Sequence, residues 1–484
     1  MTPQVDIRTP RRPQAGRTVV VGLGRTGMSC ARYLRSRGVE FAVTDSRAAP
    51  PEASALRELA PEAEVAFGGF DMGLLDGATE IVASPGVSLR EPFLARAAAR
   101  GVPIVGDIEL FAREARALIA AITGTNGKST VTTLVARMAE AAGKRVLAGG
   151  NLGRPALELL DEPVPELYVL ELSSFQLDTT HSLRTAAATV LNVTPDHMDR
   201  YDTIEDYAAS KARIFANCAA AIVNLDDPWV RGMLPPPQPS PASGGGVQTD
   251  ASRSFPSSAC GGGQGGGARV LGFSLISDPA AEYYAVETNG DVALMHGAHR
   301  MIAMSELKIA GLHNAANALA SLAMADALGL DRAACLKALR EFPGLAHRSQ
   351  WIADVDGVRY IDDSKGTNVG ATLAAVAGMP GSLIVIAGGQ GKGQDFAPLA
   401  AAFRGKVRHV VLLGQDAKLI AAALEGVTTV EFAIDMAKAV KLASRAARAG
   451  ETVLLSPACA SLDMFRDYAH RGDVFAAAVR GLTA

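Results

Sequence analysis

Cysteine is scarce in this chain, charge is nearly balanced and long apolar runs are missing. The five cysteines (Cys30, Cys218, Cys260, Cys335, Cys459) are scattered and never form a Cys-x-x-Cys pair. That spacing argues against structural zinc and suits a reducing cytoplasm. The formal net charge is −3, which gives no reason to expect nucleic acid as a partner. No apolar run reaches the roughly 18 residues that a membrane-spanning helix needs, so no membrane partner is expected. Residues 1–16 are rich in proline and arginine and lack an apolar core; they read as a flexible tail and not as a secretion signal.

What is present is ample apolar material in a long chain. The apolar fraction is 48% over 484 residues, enough for large cores and roughly three domains. Val19-Val-Val21, the turn Gly22-Leu-Gly24-Arg-Thr-Gly27, a helix to about Arg37 and a strand Glu40–Val43 ending at Asp45 form a nucleotide-binding βαβ pattern. A second strand and turn end at Ser84-Pro85-Gly86, and this unit closes near Gly106. Further strands are expected at Tyr168–Leu172, Thr189–Val193 and Ala220–Asn224. The Pro-, Gly- and Ser-rich stretch 235–268 is expected to be a disordered insertion, because it cannot bury enough apolar surface to offset chain entropy. A helix is expected over Asn314–Leu328. Beyond Gly344, the strands Val358–Asp362, Leu383–Ala387, Val410–Leu413 and Val453–Leu455 alternate with Ala-rich helical stretches. Three of them end in polar or glycine-rich turns, at 363–368, 388–392 and 456–461. In open α/β sheets ligands sit at such strand ends.

The strongest signal is Ile122-Thr-Gly124-Thr-Asn126-Gly127-Lys128-Ser129-Thr130. A buried strand runs into a glycine turn and then a helix. Glycines allow close backbone approach to phosphate oxygens, and successive N–H groups and the helix N-terminus face the anion. Lys128 can reach the terminal phosphates, and the Ser129 hydroxyl can join Mg²⁺. Glu171, at a strand end in the same region, suits a metal that prefers oxygen ligands. His197 lies in a loop between Asp196 and Asp199, which would favour its imidazolium unless a metal binds. Lys211 falls on the apolar stripe of a helix expected over Asp202–Cys218. Such a lysine must be neutral, paired or modified, or must snorkel to the rim, and periodicity leaves these open. Gly22 to Gly27 with Asp45 fits a dinucleotide fingerprint, yet the same turn can hold any diphosphate, so NAD and UDP are both allowed.

Taken in order, these motifs resemble the Mur ligases of bacterial peptidoglycan synthesis. The resemblance runs from about Gly16 to the C-terminus, insertion excluded. The phosphate loop, Asn314-x-x-Asn317 and His347-Arg348 mark the wider ATP-dependent superfamily, which includes folylpolyglutamate synthases. Gly106-Asp-Ile-Glu-Leu-Phe111, Glu171-Leu-Ser-Ser-Phe-Gln-Leu177, Asp196-His-Met-Asp-Arg-Tyr201, Asp363-Ser-Lys-Gly-Thr-Asn368 and Ser456-Pro-Ala-Cys-Ala-Ser-Leu-Asp463 are similar to the branch that adds D-glutamate.

The resemblance implies an ATP-dependent amide ligase whose partners are UDP-N-acetylmuramoyl-L-alanine and D-glutamate, working as a monomer. It implies an α/β fold in three domains: a Rossmann-like UDP-substrate domain at 17–106, a central ATP-binding domain with a P-loop-type parallel sheet at 107–343, and a Rossmann-like ligase domain at 344–484. Arg25, Thr26, Ser46 and Arg47 would hold the UDP portion, with Ser84 and Gly86 near it, and Asn151 and His197 would contact the muramoyl-alanine arm. Gly124, Thr125, Asn126, Gly127, Lys128, Ser129 and Thr130 would bind ATP phosphates. Asn314 and Asn317 would meet adenine, Arg348 the phosphates and Asp363 the ribose. Two Mg²⁺ ions are implied, with Ser129, Glu171, His197 and an N-carboxylated Lys211 as ligands. Lys128, His197 and Lys211 would form the catalytic group. Lys365, Thr367, Lys392, Ser461 and Tyr468 would surround D-glutamate. Gly366, where alanine is common in the family, and Gln390 are departures expected to alter no contact.

Overall fold

The computed structural model describes residues 16–482 apart from 152, 234–267, 277, 289 and 310. The expected tail, except Gly16, and all but Ala268 of the expected insertion lie outside the described residues.

Three sheets organise the chain. The first has five strands in the order Glu64–Phe67, Phe41–Asp45, Arg17–Val21, Ala78–Ala83, Ile104–Val105, all parallel. The second has nine strands; its centre is the parallel set Ala220–Asn224, Ala187–Val190, Leu118–Thr123, Leu167–Glu171. An antiparallel meander, Tyr283–Thr288, Asp291–His296 and His299–Ala303, extends one edge. The third has six strands, with Val358–Asp362, Thr452–Leu455, Leu383–Ala387 and Val407–Leu412 parallel at its centre and Gln350–Val355 antiparallel at one edge. Central strands such as Phe41–Asp45, Leu167–Glu171 and Leu383–Ala387 are buried along their whole length, as parallel strands covered on both faces require.

The first two sheets share a core. One apolar cluster runs continuously from Val20, Met28 and Leu34 through Ile108 and Phe111 to Tyr168, Tyr207 and Phe215. The third sheet has separate clusters on its two faces. Its helix Val369–Gly378 packs beside the helix Leu312–Ala327 of the second sheet, and polar side chains described below complete the contact.

Of the expected elements whose bounds differ from the structure, two bear on the site. The strand expected at Thr189–Val193 is Ala187–Val190, because Leu191 to Thr194 leave the sheet to wrap the phosphate loop: Leu191 N–H donates to Thr123 O and Thr125 N–H to Asn192 O, each at 2.9 Å. The helix expected over Asp202–Cys218 spans Ile204–Ala212 and passes into a tight turn at Arg213–Phe215. Its cap is Thr203, whose hydroxyl accepts from Asp206 N–H. The side chain of Arg213 reaches back to Leu177 O at 2.8 Å and Thr180 O at 3.0 Å, which anchors the chain where the helix ends.

Candidate active site

The phosphate loop joins the buried strand Leu118–Thr123 to the helix Lys128–Ala141. Gly127 has φ +85°, and a Cβ there would lie 2.5 Å from Asn317 Oδ1. Only glycine fits both the left-handed backbone and that approach. Asn192 grips the loop from the neighbouring strand end: its Oδ1 accepts from Asn126 N–H at 2.8 Å and its Nδ2 donates to Asn126 O at 3.1 Å. Lys128 Nζ donates to the Gly124 and Thr125 carbonyls, both at 2.8 Å. Burial pushes its ammonium below the usual lysine range; Glu171 opposes this and Arg348 adds to it.

Arg348 arrives from the side of the third sheet and donates to Ser129 Oγ at 2.7 Å. A cavity of about 270 Å³ opens here, lined by Asn126, Gly127, Thr130, Asn314, Asn317, Arg348, Asp363 and Lys365 among others. Seven of the residues expected to bind ATP thus meet in one space; Gly124, Thr125, Lys128 and Ser129 lie outside its lining. Asn192, Phe273 and His313 also line it and went unforeseen. His313 had a signal in Gly311-Leu-His313, beside the expected helix. Burial pushes it down to about 4, so it presents a neutral ring near neutral pH.

Asp363 accepts from Ser456 Oγ at 2.9 Å and from Ser349 N–H at 3.1 Å. Burial nevertheless pushes it up to about 7. A Cβ at Gly366 would lie 2.7 Å from Asp363 Oδ2 and 2.9 Å from Ser456 Oγ, so glycine here leaves room for their hydrogen bond.

A second cavity, of about 550 Å³, lies between the first and second sheets. Seven of the residues expected around the UDP-linked substrate line it: Arg25, Thr26, Ser46, Arg47, Ser84, Gly86 and Asn151; His197 lies outside its lining. Arg47 is held by Asp45, whose Oδ1 accepts from Arg47 Nε at 2.8 Å and whose Oδ2 accepts from Nη2 at 2.6 Å. Asp45 Oδ2 also takes Leu23 N–H at 2.7 Å. Its carboxylate is therefore already engaged, which weakens the NAD reading of this turn. Gln176 also lines the cavity and was missed, although Ser173-x-x-Gln176 has the form of a capping box. That box is present, and Gln176 Nε2 donates to buried Asp107 Oδ2 at 2.9 Å.

The remaining expected site residues are placed as follows. Glu171 is 2% exposed. Its Oε1 accepts from Asn151 Nδ2 at 2.6 Å, and its Oε2 is buried without a hydrogen-bond partner. An anchored carboxylate with a spare oxygen is what a hard cation needs. Among the described residues no group of three or more His, Cys, Asp or Glu could hold a metal. Mg²⁺ takes one or two carboxylates and completes its shell with phosphates and water.

Lys211 is 1% exposed, which removes the snorkelling alternative. Its Nζ donates to Gly124 O at 3.0 Å and sits 4.3 Å from the Tyr207 ring centroid. Burial, then the nearby Lys128, hold its pKa well below the usual lysine range. His197 has φ +58° and meets Phe175 edge-on at 4.9 Å. Asp196 does favour the imidazolium of His197, as expected, but it is outweighed. Burial lowers its pKa; Asp196 opposes, and Lys392, Lys128 and Lys211 reinforce the lowering.

Of the residues expected around D-glutamate, Lys365 and Tyr468 meet directly, with Nζ 4.0 Å from the ring centroid. Burial, Arg348 and Lys128 lower Lys365 to about 8. Ser461 is buried, Thr367 half-buried and Lys392 exposed. Thr367, Lys392, Ser461 and Tyr468 line neither cavity.

The chain is similar to known proteins over most of its length. Three family models match: "Mur ligase MurD-like, N-terminal domain" over residues 16–106, "Mur ligase middle domain" over 122–239, and "Mur ligase, glutamate ligase domain" over 347–459. A Nitrosococcus oceani protein named UDP-N-acetylmuramoylalanine--D-glutamate ligase is 48% identical over 477 residues, covering 98% of this chain and 99% of its own. A Pseudomonas aeruginosa protein of the same name is 48% identical over 468 residues, covering 96% and 98%. Among solved structures, the UDP-N-acetylmuramate-alanine ligase MurC of Thermotoga maritima matches with a TM-score of 0.57 at 18% identity, over 96% of this chain and 100% of that one. MurF from Acinetobacter baumannii matches with a TM-score of 0.56 at 18% identity, over 83% and 91%. These structures share its fold.

Proposed function

Because the chain belongs to the Mur ligase family, we propose that it joins D-glutamate to UDP-N-acetylmuramoyl-L-alanine, with ATP converted to ADP and phosphate, in peptidoglycan precursor synthesis. One observation carries this reading beyond the family: the cavity lined by the expected UDP residues includes Asn151, which is hydrogen-bonded to Glu171, and the cavity lined by the expected ATP residues includes Asn126 and Gly127 of the phosphate loop. The alanine carboxylate of the UDP-linked substrate would enter from one side and the γ-phosphate from the other.

The carboxylate oxygen attacks the γ-phosphorus, the bond to the β-phosphate oxygen breaks, and ADP leaves. Two anions must approach, so the chain concentrates cations at the junction: Lys128, Arg348 and Lys365. All three have pKa values lowered by burial, as expected of positive groups crowded where an anion belongs. Positioning and charge supply most of the catalysis in phosphoryl transfer. Glu171 and Ser129 would hold Mg²⁺, which neutralises phosphate charge when bound. His197 and Lys211 would serve a second ion if Lys211 is N-carboxylated. Burial favours the neutral amine of Lys211, the form that can take up CO₂. In the second step the D-glutamate amine attacks the acyl carbon, phosphate departs and the amide forms. Lys365, Thr367, Lys392, Ser461 and Tyr468, on the strand-end turns of the third sheet and the segment after them, would hold the amino acid. Its nucleotide substrates assign the work to the cytoplasm.

The test is ADP formation that requires both UDP-N-acetylmuramoyl-L-alanine and D-glutamate. Lys128→Ala should abolish it; near-normal turnover in that variant removes the phosphate-loop assignment.

A further inference from the structure

Asn368 begins the helix Val369–Gly378, and its Oδ1 accepts from Ala371 N–H at 2.8 Å. Capping alone would be served as well by serine or aspartate. The amide group has a second end, and capping fixes where it points. Nδ2 donates to Asp196 Oδ2 at 3.2 Å and to Asn126 Oδ1 at 3.4 Å. Both targets belong to the second sheet: Asn126 is in the phosphate loop beside Lys128, and Asp196 directly precedes His197. The contact is enclosed, since Asn368 is 3% exposed. It is also tight, because a Cβ on Gly370 in the same helical turn would lie 2.8 Å from Thr194 Oγ1. A donor that capping does not need therefore ties the turn carrying Lys365 and Thr367 to two catalytic loops across the domain boundary.

We propose that Asn368 is a positioning residue that registers the amino-acid turn of the third sheet against the phosphate loop and the His197 loop during ligation. This rests on the reaction proposed above. Three kinds of contact depend on that register: Arg348 on Ser129, Lys365 near the phosphates, and the D-glutamate amine in line with the acyl carbon. The UDP cavity, built from the first two sheets, does not depend on it.

Asn368→Ser keeps the cap and removes the cross-domain donor. Asn368→Asp keeps the cap and sets a carboxylate against Asp196. In steady-state assays of the full chain, Asn368→Ser should lose roughly tenfold in kcat and raise KM for D-glutamate several-fold, with Asn368→Asp worse, as expected when reacting groups are misplaced. Binding of the UDP-linked substrate, read by calorimetry, should stay within about twofold of wild type, because uniform loss would mean a general structural defect. Wild-type kcat and KM in Asn368→Ser would reduce Asn368 to a helix cap and overturn the inference. So would a comparable loss of UDP-substrate binding in both variants. A wild-type chain without D-glutamate-dependent ADP formation would instead sink the proposed reaction.

Discussion

Lys211 is a buried lysine with one carbonyl acceptor, an aromatic face and Lys128 nearby. Burial on this scale favours the uncharged amine. The proposed N-carboxylation would make it an anion beside His197. Lys211→Ala should therefore lose more than about 100-fold in kcat, the scale expected for an electrostatic catalytic group. A short carboxylic acid should restore part of that activity, measured as ADP release; full activity without rescue would show that no carbamate is needed. Asp107 gives a pH prediction. Burial pushes its carboxyl up to about 6 from an ordinary 3.8, and its Oδ1 is buried without a partner. A carboxyl with a raised folded-state pKa stabilises the fold while protonated and loses that contribution as pH rises through the folded value. The cost is fully felt above about pH 7, where it is on the order of 3 kcal/mol, and absent below about pH 4. Asp107→Asn should therefore melt higher than wild type at pH 8 and match it near pH 4. An equal difference at both pH values would assign the effect to packing.

Elements explain why some of the site was legible and some was not. The strands Ala220–Asn224, Val358–Asp362 and Leu383–Ala387 stand where apolar runs and flanking turns put them. The phosphate loop was legible because glycine spacing and a lysine at a helix start encode a local geometry. The early end of Ala187–Val190 was not, because Leu191 to Thr194 leave the sheet to satisfy a loop some 70 residues upstream in the chain. Nor was the lowered pKa of His197, since lysines from three separate segments act on it. Arg471 was missed for the same reason. It is 1% exposed and donates to Ser364 O at 2.7 Å and Cys459 O at 3.0 Å, joining two turns that are remote in sequence. Two elements offer direct tests. A Cβ on Gly27 would lie 1.9 Å from Gly22 O, so Gly27→Ala must lift the first helix off its strand. Overpacking of this kind costs about 1–3 kcal/mol, and UDP-substrate binding should fall with it, read by denaturant melts and calorimetry. Ser173→Ala removes a capping box worth about 1 kcal/mol. It also frees Gln176, so KM for the UDP-linked substrate should rise while KM for ATP stays fixed.

At the scale of the whole molecule, the first two sheets share a continuous apolar core, while the third has cores of its own and meets the rest through a helix contact and polar side chains. That asymmetry suits a ligase that must hold one substrate steadily while a nucleotide and an amino acid enter at a joint that can open. Domain closure also excludes water from a reactive acyl phosphate. Arg200 tests the division from the other side. It extends from the His197 loop to the first sheet, where it donates to the carbonyls of Val87 at 3.0 Å, Gly86 at 3.3 Å and Pro85 at 3.4 Å. Its guanidinium also lies 4.4 Å from the Phe175 ring centroid. Ser84 to Val87 line the UDP cavity, so Arg200 holds that wall in place. Arg200→Met keeps an apolar stem over Phe175 and removes all three donors. The outermost of these bonds are long, so the loss is equivalent to about one good charge-assisted bond, roughly 1.5 kcal/mol or tenfold in affinity. KM for the UDP-linked substrate should rise by that factor, while KM for ATP and D-glutamate should move by less than about twofold. An equal rise in all three constants would show that the wall and the ligation joint are one mechanical unit, and the separation drawn from the shared core would fail.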